Sequence, residues 1–222
     1  MIKSRHFLLA VIAVFIAAWA LPHYLAASVA QTPLLPTAKN ETWARPVDSS
    51  FKLFEMSPTL YRSALPKPEN LAVLKTLQVR TVVNFIKDDD RQWLGDSDIH
   101  LVNIPLHADR VDDADVLHVL NVLQLAETRG PVLMHCKHGS DRTGLMAAMF
   151  RTVVQGWSKQ EALSEMLNGG YGTADDMEDA RAYVERADIG KLREALTNGR
   201  CDTSILTTCF IKPWLGTLVA ED

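Results

Sequence analysis

The stretch Val132-Leu133-Met134-His135-Cys136-Lys137-His138-Gly139-Ser140-Asp141-Arg142-Thr143-Gly144 decides the reading of this 222-residue chain. Val132, Leu133 and Met134 are apolar at successive positions, the pattern of a strand covered on both faces. Gly130-Pro131 closes the segment before it, and helical spacing resumes over residues 143–155. A short loop between a buried strand and a helix gathers successive backbone N–H groups into a nest for an anion, and the helix adds the positive end of its dipole at the same point. Arg142, with five residues between it and Cys136, can fold back and grip two phosphate oxygens with its planar fork. Helix N-termini and nearby cations also favour thiolate over thiol, so a loop that binds phosphate would prepare Cys136 as a nucleophile. Gly139 permits the dihedrals of such a loop, and Gly144 is expected to let the helix approach the sheet closely.

Working outward, Leu60-Tyr61-Arg62-Ser63 reads as a short strand ended by Pro66 and Pro68. Residues 69–77 have helical spacing, 80–86 are β-rich, 87–91 form a charged loop with Asp88 to Asp90 as a surface turn, and 99–106 make a third strand. Asp112 or Asp113 can cap the next helix, whose buried face is Val116, Val119, Leu120, Leu123 and Ala126. Further helices are expected over 158–167 and 174–186. Strands alternating with helices predict an α/β domain with a central, mostly parallel sheet flanked by helices, its site at the carboxyl ends of the strands. Asn168-Gly169-Gly170-Tyr171-Gly172 does not follow a strand and is not read as a dinucleotide loop.

The ends of the chain suggest export. Lys3 and Arg5 precede the apolar run 7–21, Pro22 breaks it, and Ser28-Val29-Ala30 supplies small residues for cleavage, so residues 1–30 are expected to be a signal peptide. The run is shorter than the roughly 20 residues of a spanning helix, and an uncleaved anchor is the competing reading. Residues 31–50, rich in Pro, Thr, Ser and Ala, read as a linker, 51–190 as the phosphate-handling domain, and 191–222 as a tail. In an oxidising compartment the close pair Cys201 and Cys209 reads as a disulfide clipping that tail, with two reduced thiols as the alternative. Cys136 is then the unpaired one. The formal net charge of −4 becomes more negative once Lys3 and Arg5 are removed. An acidic body without basic blocks argues against nucleic acid as a partner. No metal-ligand spacing stands out, and no cofactor is expected.

The segment His135-Cys136, five residues, Arg142-Thr143-Gly144 resembles the signature loop of the protein tyrosine and dual-specificity phosphatases. From Tyr61-Arg62-Ser63-Ala64-Leu65-Pro66 to about Gly172 the chain is similar to their compact bacterial members. The segments 85–91, 107–110 and 134–144 are similar to an exported, periplasmic one. The resemblance implies the compact dual-specificity-phosphatase-like fold and a phosphocysteine intermediate on Cys136. Arg142 and the loop residues Lys137, His138, Gly139, Ser140 and Asp141 would hold the phosphate. Asp109, in His107-Ala108-Asp109-Arg110, would protonate the leaving oxygen. Asp112, Asp113 and Asp115 compete for that role but read better as helix caps. Thr143 would assist breakdown of the intermediate. His135 would hydrogen-bond beneath the loop, a packed core histidine being the alternative. Lys87 and Arg110 could touch substrate or be ordinary solvated charges. Asp141 departs from the scheme, because an acid pointing into a phosphate loop would oppose both thiolate and ligand.

The implied partner is a phosphorylated protein, carrying phosphotyrosine with tolerance for phosphoserine and phosphothreonine. The resemblance suggests the periplasmic part of an inner-membrane signalling protein such as a diguanylate cyclase, with effects on biofilm. No stable membrane insertion is expected after leader cleavage. Two other readings compete. An inositol polyphosphate phosphatase would favour more lysines and arginines around the pocket than this acidic chain offers. A non-catalytic phosphate-binding module would not need Cys136, Arg142 and an acid together.

Overall fold

The computed structural model describes residues 42–200. Six strands, β1 (Arg45–Asp48), β2 (Leu53–Ser57), β3 (Leu60–Ser63), β4 (Thr81–Asn84), β5 (His100–Asn103) and β6 (Val132–His135), form one sheet in the order β1-β2-β3-β6-β4-β5. The first three pair antiparallel, whereas β3, β6, β4 and β5 run parallel. The last of the described strands, β6, is thus inserted between β3 and β4. Ser63, His135, Asn84 and Asn103 stand side by side at the carboxyl ends, so the loops leaving these strands open along one edge of the sheet.

The unbroken apolar run of β6 follows from its central place. Val132 and Met134 enter a large core with α3 (Asp113–Glu127), α4 (Asp141–Met149), α5 (Lys159–Asn168), α6 (Glu178–Arg186) and α7 (Ile189–Thr197). Leu133 points the other way, into a smaller core with Tyr61, Leu74, Val82 and Trp93, beside α1 (Leu71–Thr76) and α2 (Arg91–Leu94). Each fully buried aliphatic side chain of this kind contributes roughly 1.5–3 kcal/mol relative to exposure. Helix α3 begins in a capping box: Asp115 N donates to Asp112 Oδ1 at 2.9 Å, and Asp112 N donates to Asp115 Oδ2 at 3.3 Å. Asp112 is therefore the cap, and Asp113 accepts from the Tyr183 hydroxyl at 2.7 Å. After α4 the chain widens into a π turn, Phe150–Val154. There Arg193 of α7 donates to the carbonyls of Thr152 and Val153 at 2.8 and 3.3 Å.

Several boundaries differ from the sequence reading. β1 and the first two residues of the 3-10 turn Ser49–Phe51 lie within the stretch 31–50 read as linker, and α7 runs past residue 190. Pro46 is tolerated because β1 is an edge strand, where a missing N–H costs no central ladder bond. Helix α4 begins at Asp141, two residues earlier than expected. The leader and Cys201 and Cys209 lie outside the described residues. Among the described residues no helix is long and apolar enough to cross a membrane.

Candidate active site

The loop from Cys136 to Ser140 joins the end of β6 to the start of α4. Cys136 is 1% exposed, and the Gly139 amide donates to its Sγ at 3.3 Å. Two loop carbonyls are drawn back toward the end of β3. Leu65 N donates to Lys137 O at 3.3 Å, and Arg62 Nη2 donates to Gly139 O at 2.8 Å. With those oxygens held, the loop amides are left to serve an anion. Gly139 has φ +74, and a Cβ there would fall 2.7–2.8 Å from Ala64 N and from Ser63 C and O. Both the left-handed backbone and the contact with β3 exclude a side chain. Gly144 is different: a Cβ would meet Arg62 Nη2 and Met166 Cγ at 3.6 Å, ordinary contact, so the close approach expected there does not exist.

Arg142 is half-buried, and its Nη1 donates to Phe85 O at 3.4 Å, which parks the guanidinium beside the end of β4. Lys137 and His138 are exposed and Ser140 is buried. Thr143 is fully buried, with a hydroxyl that has no hydrogen-bond partner among the described residues. Beneath the loop, His135 Nε2 and Asp90 Oδ2 share a hydrogen bond at 2.6 Å, both side chains being buried. The other ring nitrogen lies 3.4 Å from the Cys136 carbonyl oxygen, and Trp93 meets the ring edge-on. His135 is thus bonded rather than merely packed. Asp90, read from sequence as part of a surface turn, is a correction: Asp88 and Asp89 are exposed, but Asp90 turns inward. Asp89 takes the turn's own bond, from Arg91 N at 3.0 Å.

The candidate acid lies across the edge of the sheet. Asp109 sits in the 3-10 turn Ala108–Arg110 after β5, and its Oδ2 is 3.7 Å from Arg110 Nε, both side chains being exposed. Lys87 is exposed in the loop after β4. Asp112, Asp113 and Asp115 are engaged in the bonds described above, which leaves Asp109 the freer carboxylate. Asp141 is half-buried at the first turn of α4. Burial pushes its carboxyl above the usual range, Arg142 pulls it down, Asp179 and Asp109 raise it, and a bond with the Ala180 backbone lowers it. Its side chain therefore lies toward α6, within electrostatic reach of both Arg142 and Asp109.

Two residues of this site escaped sequence reading, Arg62 and Asp90. A lone cation within a central strand is a signal for the first, since all four residues of β3 are buried. Nothing local signals the second.

A thiol recessed in an amide nest, with an arginine parked at its rim and an exposed carboxylate in the loop after β5, is the arrangement of a cysteine-dependent phosphatase. The chain belongs to the tyrosine phosphatase family, whose pattern matches residues 49–203. It is 59% identical over 177 residues to the dual specificity protein phosphatase TpbA of Pseudomonas aeruginosa, covering 80% of this chain and 81% of that relative. The crystal structure of a Cys-to-Ser variant of P. aeruginosa TpbA in complex with pTyr has 61% sequence identity and a TM-score of 0.72, covering 72% of this chain and 99% of that one. An inositol diphosphatase of Arabidopsis thaliana is 29% identical over 157 residues, 67% of this chain and 74% of that relative.

Proposed function

We propose that this chain is an exported protein phosphatase that hydrolyses phosphotyrosine, with tolerance for phosphoserine and phosphothreonine, through a phosphocysteine intermediate. The observation that carries the reading is the buried Cys136 Sγ under the Gly139 amide, with the carbonyls of Lys137 and Gly139 tied back. In the first step the Cys136 thiolate forms the S–P bond as the P–O bond to the leaving group breaks. The Asp109 carboxyl gives its proton to the departing oxygen, because an unprotonated alkoxide or phenolate leaves poorly. Arg142 and the loop amides hold the equatorial oxygens while charge shifts among them. In the second step water attacks phosphorus, Asp109 takes its proton, and the sulfur departs as thiolate. The unpartnered Thr143 hydroxyl is suited to donate to that sulfur.

The leader expected over 1–30 and the disulfide expected between Cys201 and Cys209 would fit a periplasmic setting, where Cys136 would remain the free thiol. The proposed target is the periplasmic part of an inner-membrane signalling protein, a diguanylate cyclase by resemblance to exported bacterial members, and through it biofilm formation. The test is hydrolysis of a phosphotyrosine peptide by the purified chain under reducing conditions, beside Cys136→Ser and an inositol hexakisphosphate control. Turnover of the peptide should vanish in the variant while phosphate still binds. Turnover that survives in Cys136→Ser removes the assigned nucleophile, and cleavage of the inositol phosphate alone replaces the proposed substrate.

A further inference from the structure

Arg62 lies in the middle of β3, opposite Phe54 on one side and Met134 on the other, and is 2% exposed. A guanidinium so placed is costly unless its charge and donors are met. One donor is met by Gly139 O at 2.8 Å, and the planar group stacks 3.6 Å from the centroid of the Tyr171 ring. Tyr171 is pushed up to about 12, chiefly by burial, so it stays a neutral phenol presenting its face to the cation. The glycine-rich segment 168–172 leaves room for that ring. The Tyr171 ring folds back over Gly169, leaving no room for a side chain there, and a Cβ on Gly172 would strike Ser140 Cβ at 2.7 Å.

No buried carboxylate is paired directly with Arg62 among the described residues. Arg151 is the second buried guanidinium, and it owns the nearby carboxylate: Nε donates to Glu165 Oε2 and Nη2 to Oε1, each at 2.8 Å. Glu165 Oε1 also takes the Ala44 amide at 2.6 Å and the Tyr171 hydroxyl at 3.4 Å. Arg62 makes no carboxylate ion pair among the described residues. Burial pushes its guanidinium down, while Tyr171, Glu165 and Cys136 push it back up against Arg151. Asp90, the other buried acid near the loop, is committed to His135. Arg62 thus has no carboxylate of its own behind the phosphate loop, and an ionised Cys136 would supply a negative charge within its electrostatic reach.

We infer that Arg62 is a positioning residue of the phosphate site: from behind the loop it holds the Gly139 carbonyl away from the anion, and it is the buried counter-charge of the Cys136 thiolate. The inference deepens the phosphatase reading and rests on it for turnover alone, since thiol reactivity and anion protection do not require catalysis. The experiment follows iodoacetamide alkylation of Cys136 at mildly acidic pH, with and without inorganic phosphate, in the full chain, Arg62→Gln and Arg62→Lys. Melting curves establish that each variant is folded. Arg62→Gln should alkylate about ten-fold more slowly and lose most phosphate protection, because a desolvated charge joined to the loop through Gly139 acts strongly on an ionising thiol. Arg62→Lys keeps the charge without the rigid fork, so alkylation should recover to within about three-fold of the parent while phosphate protection stays weakened. Parental alkylation and protection in Arg62→Gln overturn the inference. If Arg62→Gln does not fold, Arg62→Lys decides: parental values of both, or loss of both, overturn it. A parent chain that shows the Arg62 effect but leaves phosphotyrosine intact would sink the substrate reading and leave this one standing.

Discussion

On one side of the site Cys136 is 1% exposed and braced from two directions, by Arg62 behind the loop through Gly139 and by the Asp90–His135 pair beneath it. On the other side the Asp109 side chain is 64% exposed, and its ion pair is with the neighbouring Arg110 at 3.7 Å. An exposed pair of that length contributes little, about 0–1 kcal/mol. The contrast separates two tasks. Holding a phosphate demands dipoles fixed before the ligand arrives, because reorganising them during reaction would raise the barrier. Giving a proton to a leaving oxygen needs a carboxyl that can find its place once the substrate is seated. Damage on the braced side should therefore remove binding and turnover together, whereas damage on the open side should remove turnover alone.

The sharpest way to break that contrast is Gly139→Ala. The new Cβ must adopt a left-handed backbone and lie 2.7–2.8 Å from the backbone of Ser63 and Ala64, so the loop has to shift. We expect kcat to fall about 10³-fold, the scale of losing preorganised donors, with phosphate inhibition weakened alongside. Parental inhibition by phosphate in this variant would show that the loop is not rigidly set. Asp109→Asn probes the open side. Turnover of substrates with poor leaving groups should fall about 10²-fold, activated aryl phosphates should lose far less, and phosphate inhibition should not change. An equal loss for both leaving groups would move the acid elsewhere. Asp90→Asn lies between the two, since it keeps a hydrogen bond to His135 but removes the charge. A drop of about ten-fold in kcat is expected, the scale on which supporting partners act, together with a lower melting temperature. An unchanged enzyme would reduce the buried pair to packing.

What the sequence revealed and what it hid divide along the same line. Residues 132–144 were readable because a buried strand, a tight loop and a helix start are each written in consecutive residues. So was α3, whose cap and first turn are local to Asp112 and Asp115. Asp90 was not, because its meaning comes from His135, 45 positions away, and a run of three aspartates looks the same whether or not one turns inward. Arg62 lies in a stretch legible as a strand, but its partners Gly139 and Tyr171 arrive only with the folded chain, Gly139 through the insertion of β6 beside β3. The edge strand β1 carries Pro46 and is mostly exposed, so neither alternation nor composition announces it. Gly144 misled in the opposite direction: a glycine after the loop suggested close packing, and the space there is ordinary.

Asp141 tests the contrast where the two sides meet, and its effect should be the smallest. At the first residue of α4 a negative charge is favoured by the helix dipole, by about 0.3–1 kcal/mol, yet burial outweighs this and holds the carboxyl above its usual 3.8. A raised acid favours the protonated form in the fold. Its contribution to stability is thus fully present below 3.8 and is lost as pH rises through the higher folded value. Above that point the ionised carboxylate stands beside Arg142 and near the incoming phosphate. Asp141→Asn should then lower KM about two- to three-fold at neutral pH, the scale of one screened charge at a partly exposed site. The advantage should shrink as acid protonates the parent, and melting temperatures should converge over the same range. Suppose instead that KM rises in the variant. Asp141 would then be acting through its neighbour Arg142, by steering that guanidinium toward the phosphate, and the braced side of the site would extend one residue further than its hydrogen bonds show.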